Sequence, residues 1–117
     1  MPEFLFNNKI YYNPVEFVFD RIGSSWKIPI LWRLKENVLR YGDLKKDIIP
    51  ISHKVLSQKL KELEQDGFIH RKVYATVPPK VEYSLTKRGK RSIQLIECIR
   101  DYGLELMEDF HVAPKQK

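Results

Sequence analysis

The chain has 117 residues, 43% hydrophobic and 31% charged, with a net charge of +6; that is one domain's length and an ordinary globular composition, which excludes a disordered tail. A single cysteine, Cys98, excludes an internal disulfide framework and a multi-cysteine zinc site. No apolar run approaches the ~20 residues that cross a bilayer, so no membrane partner is expected.

The N-terminal stretch MPEFLFNNK has no basic start and no small-residue cleavage site, so the expected compartment is the cytoplasm. Its Phe4, Leu5 and Phe6, with Tyr11 and Tyr12, are too apolar for a free tail. Asn13-Pro14 reads as a helix start, with Asn13 as cap and Pro14 in the first turn. Val15, Val18, Phe19 and Ile22 follow at helical spacing, and Gly23 ends the segment. Ser24 and Ser25 offer the next cap, before an apolar face of Trp26, Ile30, Leu31 and Leu34. Pro29 belongs in that helix's first turn, since deeper in it would break a hydrogen bond.

Val38 to Arg40 reads as a very short strand and Tyr41 to Asp47 as a short helix with Leu44 and Ile48 inward. Ile49-Pro50-Ile51 interrupts. Ser52 then caps a helix running to Gly67, on which Leu56, Leu60 and Leu63 fall within about 60° of one another. Phe68 to Ala75 and Lys80 to Leu85 read as strands joined by the stiff turn Thr76-Val77-Pro78-Pro79; Val81, Tyr83 and Leu85 alternate with Glu82 and Ser84. Thr86 caps a last helix reaching about Phe110, and the tail from Ala113 to Lys117 is expected to fray.

The charge is uneven. Val38 to Arg91 holds 13 Lys and Arg against 6 Asp and Glu, while the rest holds 8 against 9. The excess positive charge therefore lies mid-chain, which favours a polyanionic partner over a uniformly lysine-rich surface.

A short helix, a proline-containing turn, a capped helix and a β-hairpin with basic flanks make a winged helix-turn-helix. The fold class is mainly α with a small β-hairpin wing (α+β), in a single domain over 1–117. The DNA-binding core is expected at about 38–91, with dimerisation helices at about 13–23 and 87–110. The major groove of B-DNA, about 12 Å wide, accepts one helix bearing polar and basic side chains. Opposite the leucine stripe stand Lys54, Gln58, Lys61 and Gln65, with Ser57 alongside, Ser52 at the cap and His53 in the first turn, where a recognition helix meets bases. Arg40, Tyr41, Lys45 and Lys46 lie where a positioning helix crosses the phosphate backbone. The hairpin adds Arg71 and Lys72 on one arm and Lys80 on the other, and its rigid tip of Pro78 and Pro79 with an adjacent cation suits a narrow minor groove. The competing reading of each set is a solvated face or a proline-stiffened loop.

On the last helix, Ile93, Ile96, Leu104 and Met107 form one stripe; Leu95, Ile99, Tyr102 and Leu106 form another about 130° away. One small core needs one stripe, so the second implies a partner, most simply the same helix of a second copy. The expected homodimer interface is Val15, Val18, Phe19, Ile93, Ile96, Ile99, Tyr102 and Leu106. Cys98 reads as a small packing residue.

Ile22-Gly23-Ser24-Ser25-Trp26-Lys27, Arg40-Tyr41-Gly42-Asp43-Leu44, the run from Ile51 to Glu64, Gly67-Phe68-Ile69 and the hairpin from Val73 to Thr86 together resemble the HxlR-type winged helix regulators. The resemblance covers about residues 13–103. It implies a dimer packed through its terminal helices, with the helix from Ser52 in the major groove of double-stranded DNA and the hairpin near the minor groove, repressing or activating transcription. Many members carry a cysteine before the proline that starts the first helix; Asn13 stands there in this chain, so that thiol switch cannot operate.

No acid, base and nucleophile occur at meaningful spacing, and His53, His70 and His111 have no ligand spacing. No enzyme, cofactor or metal site is expected. A dimer cleft lined by Trp26, Trp32 and nearby phenylalanines has the composition to hold an apolar small-molecule effector. The alternative function is a winged-helix protein-interaction module without DNA binding.

Overall fold

The computed structural model describes residues 3–113, so the expected fraying falls mostly on residues 114–117, outside that range. The chain opens with a hairpin. Strands β1 (Phe4–Phe6) and β2 (Lys9–Tyr11) pair antiparallel, with Phe4 opposite Tyr11 and Phe6 opposite Lys9. Asn7 and Asn8 join them at φ 51° and 63°, left-handed conformations that asparagine tolerates and a two-residue hairpin turn requires. Only the apolar character of this segment is visible in the sequence, because three-residue strands are too short to display a period. Helix α1 (Pro14–Ile22) packs beneath it, with the Phe17 ring edge-on to Phe4, Phe6 and Tyr11 at centroid distances of 5.3, 5.2 and 5.0 Å.

Asn13 Oδ1 accepts from Glu16 N at 2.8 Å, as a helix cap should. Gly23 closes α1 through close approach rather than a left-handed turn: its φ is −81°, but a Cβ there would sit 2.5 Å from the Phe19 carbonyl oxygen. Helix α2 (Lys27–Arg33) starts one residue later than a serine cap would allow. Its N-cap is Trp26 with no side-chain hydrogen bond, and Ser24 Oγ is buried without a partner. Pro29, in the first turn, removes one of the amides a cap would have served.

Strand β3 (Leu39–Arg40), helix α3 (Tyr41–Asp47), helix α4 (His53–Gln65), strands β4 (Ile69–Tyr74) and β5 (Lys80–Leu85) and helix α5 (Lys87–Asp109) complete the fold. The strands form one antiparallel sheet in the order β3-β5-β4, with Arg40 opposite Glu82, Arg71 opposite Tyr83 and Tyr74 opposite Lys80. Ser52 Oγ accepts from Val55 N at 3.1 Å and Thr86 Oγ1 from Gly89 N at 3.0 Å, capping α4 and α5. Gly67 supplies the left-handed residue (φ 78°) just beyond α4. The core gathers Ile22, Ile30, Leu31, Leu44, Ile51, Leu56, Leu60, Leu63, Ile69, Tyr83, Leu85 and Ile96. Burial of the leucine stripe fixes which side of α4 faces outward.

Two polar clamps hold α4 from behind. Lys27 is buried, and its Nζ donates to the Arg21 carbonyl at 3.1 Å and pairs with Glu62 Oε1 at 3.0 Å. At the end of α4, Asp66 pairs with Arg21 at 3.4 Å, and its carbonyl accepts from Arg88 Nη1 at 2.6 Å. An isolated lysine at the start of an apolar helix was the only sequence signal for the first clamp.

Candidate nucleic-acid interface

With Leu56, Leu60 and Leu63 buried, the opposite side of α4 presents Lys54, Gln58 and Lys61, all exposed. Among the described residues, Lys54, Lys61 and Arg71 have no carboxylate within ion-pair distance. Three cations without counter-ions beside an exposed glutamine form a surface that phosphates can neutralise.

The first turn of α4 is tied to α3. The Tyr41 hydroxyl lies 3.0 Å from His53 Nδ1, 3.1 Å from the His53 carbonyl oxygen and 3.2 Å from Ser57 Oγ. The two rings stack at 5.8 Å with 10° between planes. Four residues singled out separately in the sequence, Tyr41, Ser57, Lys61 and Arg71, line one groove of about 380 Å³ between α4 and the sheet. Asp43 starts α3 by accepting from Arg40 N at 3.0 Å. Arg40 and Lys46 are exposed and Lys45 is half-buried.

Register divides the wing's cations between two faces. Arg71 shares a face with Ile69 and Val73 and lies opposite Tyr83, on the face turned toward α4. Lys72, Tyr74, Lys80 and Glu82 lie on the other face. There the Tyr74 hydroxyl donates to Glu82 at 2.9 Å, Lys80 Nζ pairs with Glu82 at 3.3 Å, and both lysines sit over the Tyr74 ring at 4.9 and 4.8 Å. The Tyr74 hydrogen bond, helped by Lys80, holds the Glu82 carboxyl below its ordinary range. Lys80 is therefore an internally compensated charge beside the tip. The alternation was legible in the sequence, but Tyr74 and Glu82 as partners of the lysines were not recognised there. Pro79 and Val77 are exposed at the tip. Ser52 Oγ is committed to its cap.

The family model for HxlR-like helix-turn-helix proteins matches residues 21–110. The chain belongs to the HxlR-like family. It is 45% identical over 92 residues to the HTH-type transcriptional regulator YdzF of Bacillus subtilis, covering 78% of this chain and 84% of that one. Among solved structures, the redox regulator HypR in its reduced form aligns with TM-score 0.78 at 37% identity, covering 84% of this chain and 96% of that one. The reduced form of the regulator YodB from B. subtilis aligns with TM-score 0.70 at 30% identity, covering 79% and 91%. DNA-binding transcription regulation is the activity of this HxlR-like chain.

The residues expected at a dimer interface divide in this HxlR-like fold. Val15, Val18, Phe19, Ile99, Tyr102 and Leu106 are exposed on α1 and α5, although all are large and apolar. Ile96 instead lies in the chain's own core, and the half-buried Ile93 packs against it. Only the first part of their stripe serves the chain's own core, since Leu104 on the same stripe is 47% exposed. Cys98 is exposed, not packed as expected, because it falls outside that inward stripe. Trp26 and Trp32 both pack against the core, and Trp32 also lines an apolar trough of about 350 Å³ with Ile28, Pro29, Ile96 and Ile99. Among the described residues no helix is long and apolar enough to cross a membrane.

Proposed function

We propose that the protein binds duplex DNA as a homodimer, with α4 of each copy in a major groove and the wing against the flanking backbone. The observation that carries this reading is the outward face of α4, where Lys54 and Lys61 stand exposed without an ion-pair partner among the described residues, Gln58 is exposed with them, and Arg71 shares a groove with Lys61. Glutamine suits adenine and lysine suits guanine or phosphate, so the face has both affinity and readout. Arg71 is the wing's principal phosphate contact in this reading, and Lys80 a lesser one. Such a regulator works where the chromosome lies, in the cytoplasm, and binds rather than catalyses.

Dimerisation is supported by α1 and α5, whose exposed Val15, Val18, Phe19, Leu95 and Ile99 line a common apolar trough of about 130 Å³. The radius of gyration, 16.3 Å, exceeds the about 13 Å of a compact domain of this length, in keeping with elements that reach beyond one core. Two copies joined there would offer two α4 helices to one face of a duplex.

Selection of bound duplexes from a random pool, followed by hydroxyl-radical footprinting, tests the reading. Two protected patches one helical turn apart, about 34 Å or a multiple of it, with steeply salt-dependent affinity are expected. A single patch would remove the dimer. Binding to no duplex, or binding insensitive to salt, would favour a protein-interaction role.

A further inference from the structure

We infer that Tyr41 fixes the tautomer of His53, so that His53 presents a hydrogen-bond acceptor to the major groove and selects a base carrying an amino group. The inference rests on the proposal that α4 enters that groove. It adds the polarity of one contact and the residue that sets it.

A count of protons decides the tautomer. A tyrosine hydroxyl has one hydrogen to donate and two lone pairs to accept with. The Tyr41 oxygen has three polar neighbours: the His53 carbonyl oxygen at 3.1 Å, His53 Nδ1 at 3.0 Å and Ser57 Oγ at 3.2 Å. A carbonyl oxygen can only accept. All three contacts are hydrogen bonds only if the Tyr41 proton goes to the carbonyl, while His53 Nδ1–H and the Ser57 hydroxyl both donate to Tyr41. The neutral imidazole then carries its hydrogen on Nδ1, and Nε2 is left as a bare lone pair. The ring is further held by its stack on Tyr41, at 5.8 Å and 10°.

His53 is the first residue of α4 and is exposed. An acceptor at that place complements adenine N6–H₂ or cytosine N4–H₂, the amino groups that face the major groove. It opposes guanine O6 and N7 and thymine O4, which are themselves acceptors. Tyr41 is thus a positioning residue: it acts on the base through His53, and Ser57 donates into the same hydroxyl.

Nitrogen-15 correlation spectra of the neutral His53 ring in the free full-length protein test the lock without DNA, the signal being assigned by its loss in His53→Phe. The Nδ1–H form is expected, and the Nε2–H form would overturn the inference. The same proteins are then put through selection from a random duplex pool. Wild type should prefer adenine or cytosine at one position in each half-site, by about fivefold. That preference should vanish in His53→Phe and shrink in Tyr41→Phe, which keeps the ring stack. If both variants lose affinity equally for all sequences, Tyr41 has only a structural role and the inference fails. If wild type binds no duplex while the Nδ1–H form is present, the proposed function fails instead, and the base-reading step falls with it.

Discussion

Lys27 Nζ lies 3.0 Å from Glu62 Oε1, and through that contact α2 holds the flank of α4. The lysine is almost wholly buried, whereas Glu62 keeps a third of its side chain in solvent and has Lys59 as a second partner at 3.6 Å. The pair is therefore only partly desolvated. Opposite charge is what lets a lysine stay in this core.

Lys27→Met should lower stability by about 1–3 kcal/mol, less than a fully buried pair would lose, because Glu62 retains water and Lys59. Urea unfolding checks it: the midpoint should fall with little change in slope. The double variant with Glu62→Gln should lose less than the sum of the two single changes, since the pair interacts directly. An unmoved midpoint in Lys27→Met would remove the clamp from the account.

The N-terminal hairpin predicts an acid-sensitive term. Asp20 accepts from the Tyr11 hydroxyl and from Arg21, and these hydrogen bonds hold its carboxyl at about 2, down from 3.8. Because the folded value is the lower one, the stabilisation is complete above about pH 4 and disappears as pH falls toward 2. Its size is about 1 kcal/mol once solvent screening is allowed for. Asp20→Asn should be less stable than wild type at neutral pH, with the gap closing between pH 4 and 2. Chemical denaturation across that range measures it, and a gap independent of pH would contradict the assignment.

Much of the fold was legible because strong local signals agreed with the tertiary structure. Asn13, Ser52 and Thr86 cap helices as their positions suggested, Gly67 follows α4 in the left-handed region, and Leu56, Leu60 and Leu63 are buried on one stripe. What escaped depended on pairing across space. The Asn7-Asn8 hairpin hides in strands of three residues, and the Lys27–Glu62 and Lys80–Glu82 pairs join residues that no periodicity links. The two stripes of α5 were visible, but which one served the chain's own core was not. The burial of Ile96 and exposure of Tyr102 decide that.

The split of the wing's cations gives an ordered prediction. Arg71→Ala should weaken binding to all sequences and reduce the salt slope by about 1, as expected for one lost phosphate contact. Lys80→Ala should change both less, because Glu82 already compensates that charge. Fluorescence anisotropy titrations over a range of salt compare them. Equal slopes for the two variants would mean that sheet face does not govern wing contacts.

Phe19 is 54% exposed on α1, so Phe19→Glu removes an apolar surface without opening the core. The variant should fold, should sediment as a monomer, and should bind a two-half-site duplex at least about 100-fold more weakly because the second half-site no longer assists the first. A folded variant that remains dimeric would move the interface away from α1.

The central claim is that the exposed face of α4 reads DNA, and the triple variant Lys54→Ala, Gln58→Ala, Lys61→Ala tests it most directly. All three side chains are outside the core, so circular dichroism and the urea midpoint should stay close to wild type. Anisotropy titration against the selected duplex should show affinity reduced by at least about 100-fold. Unchanged affinity in a folded triple variant would contradict the account.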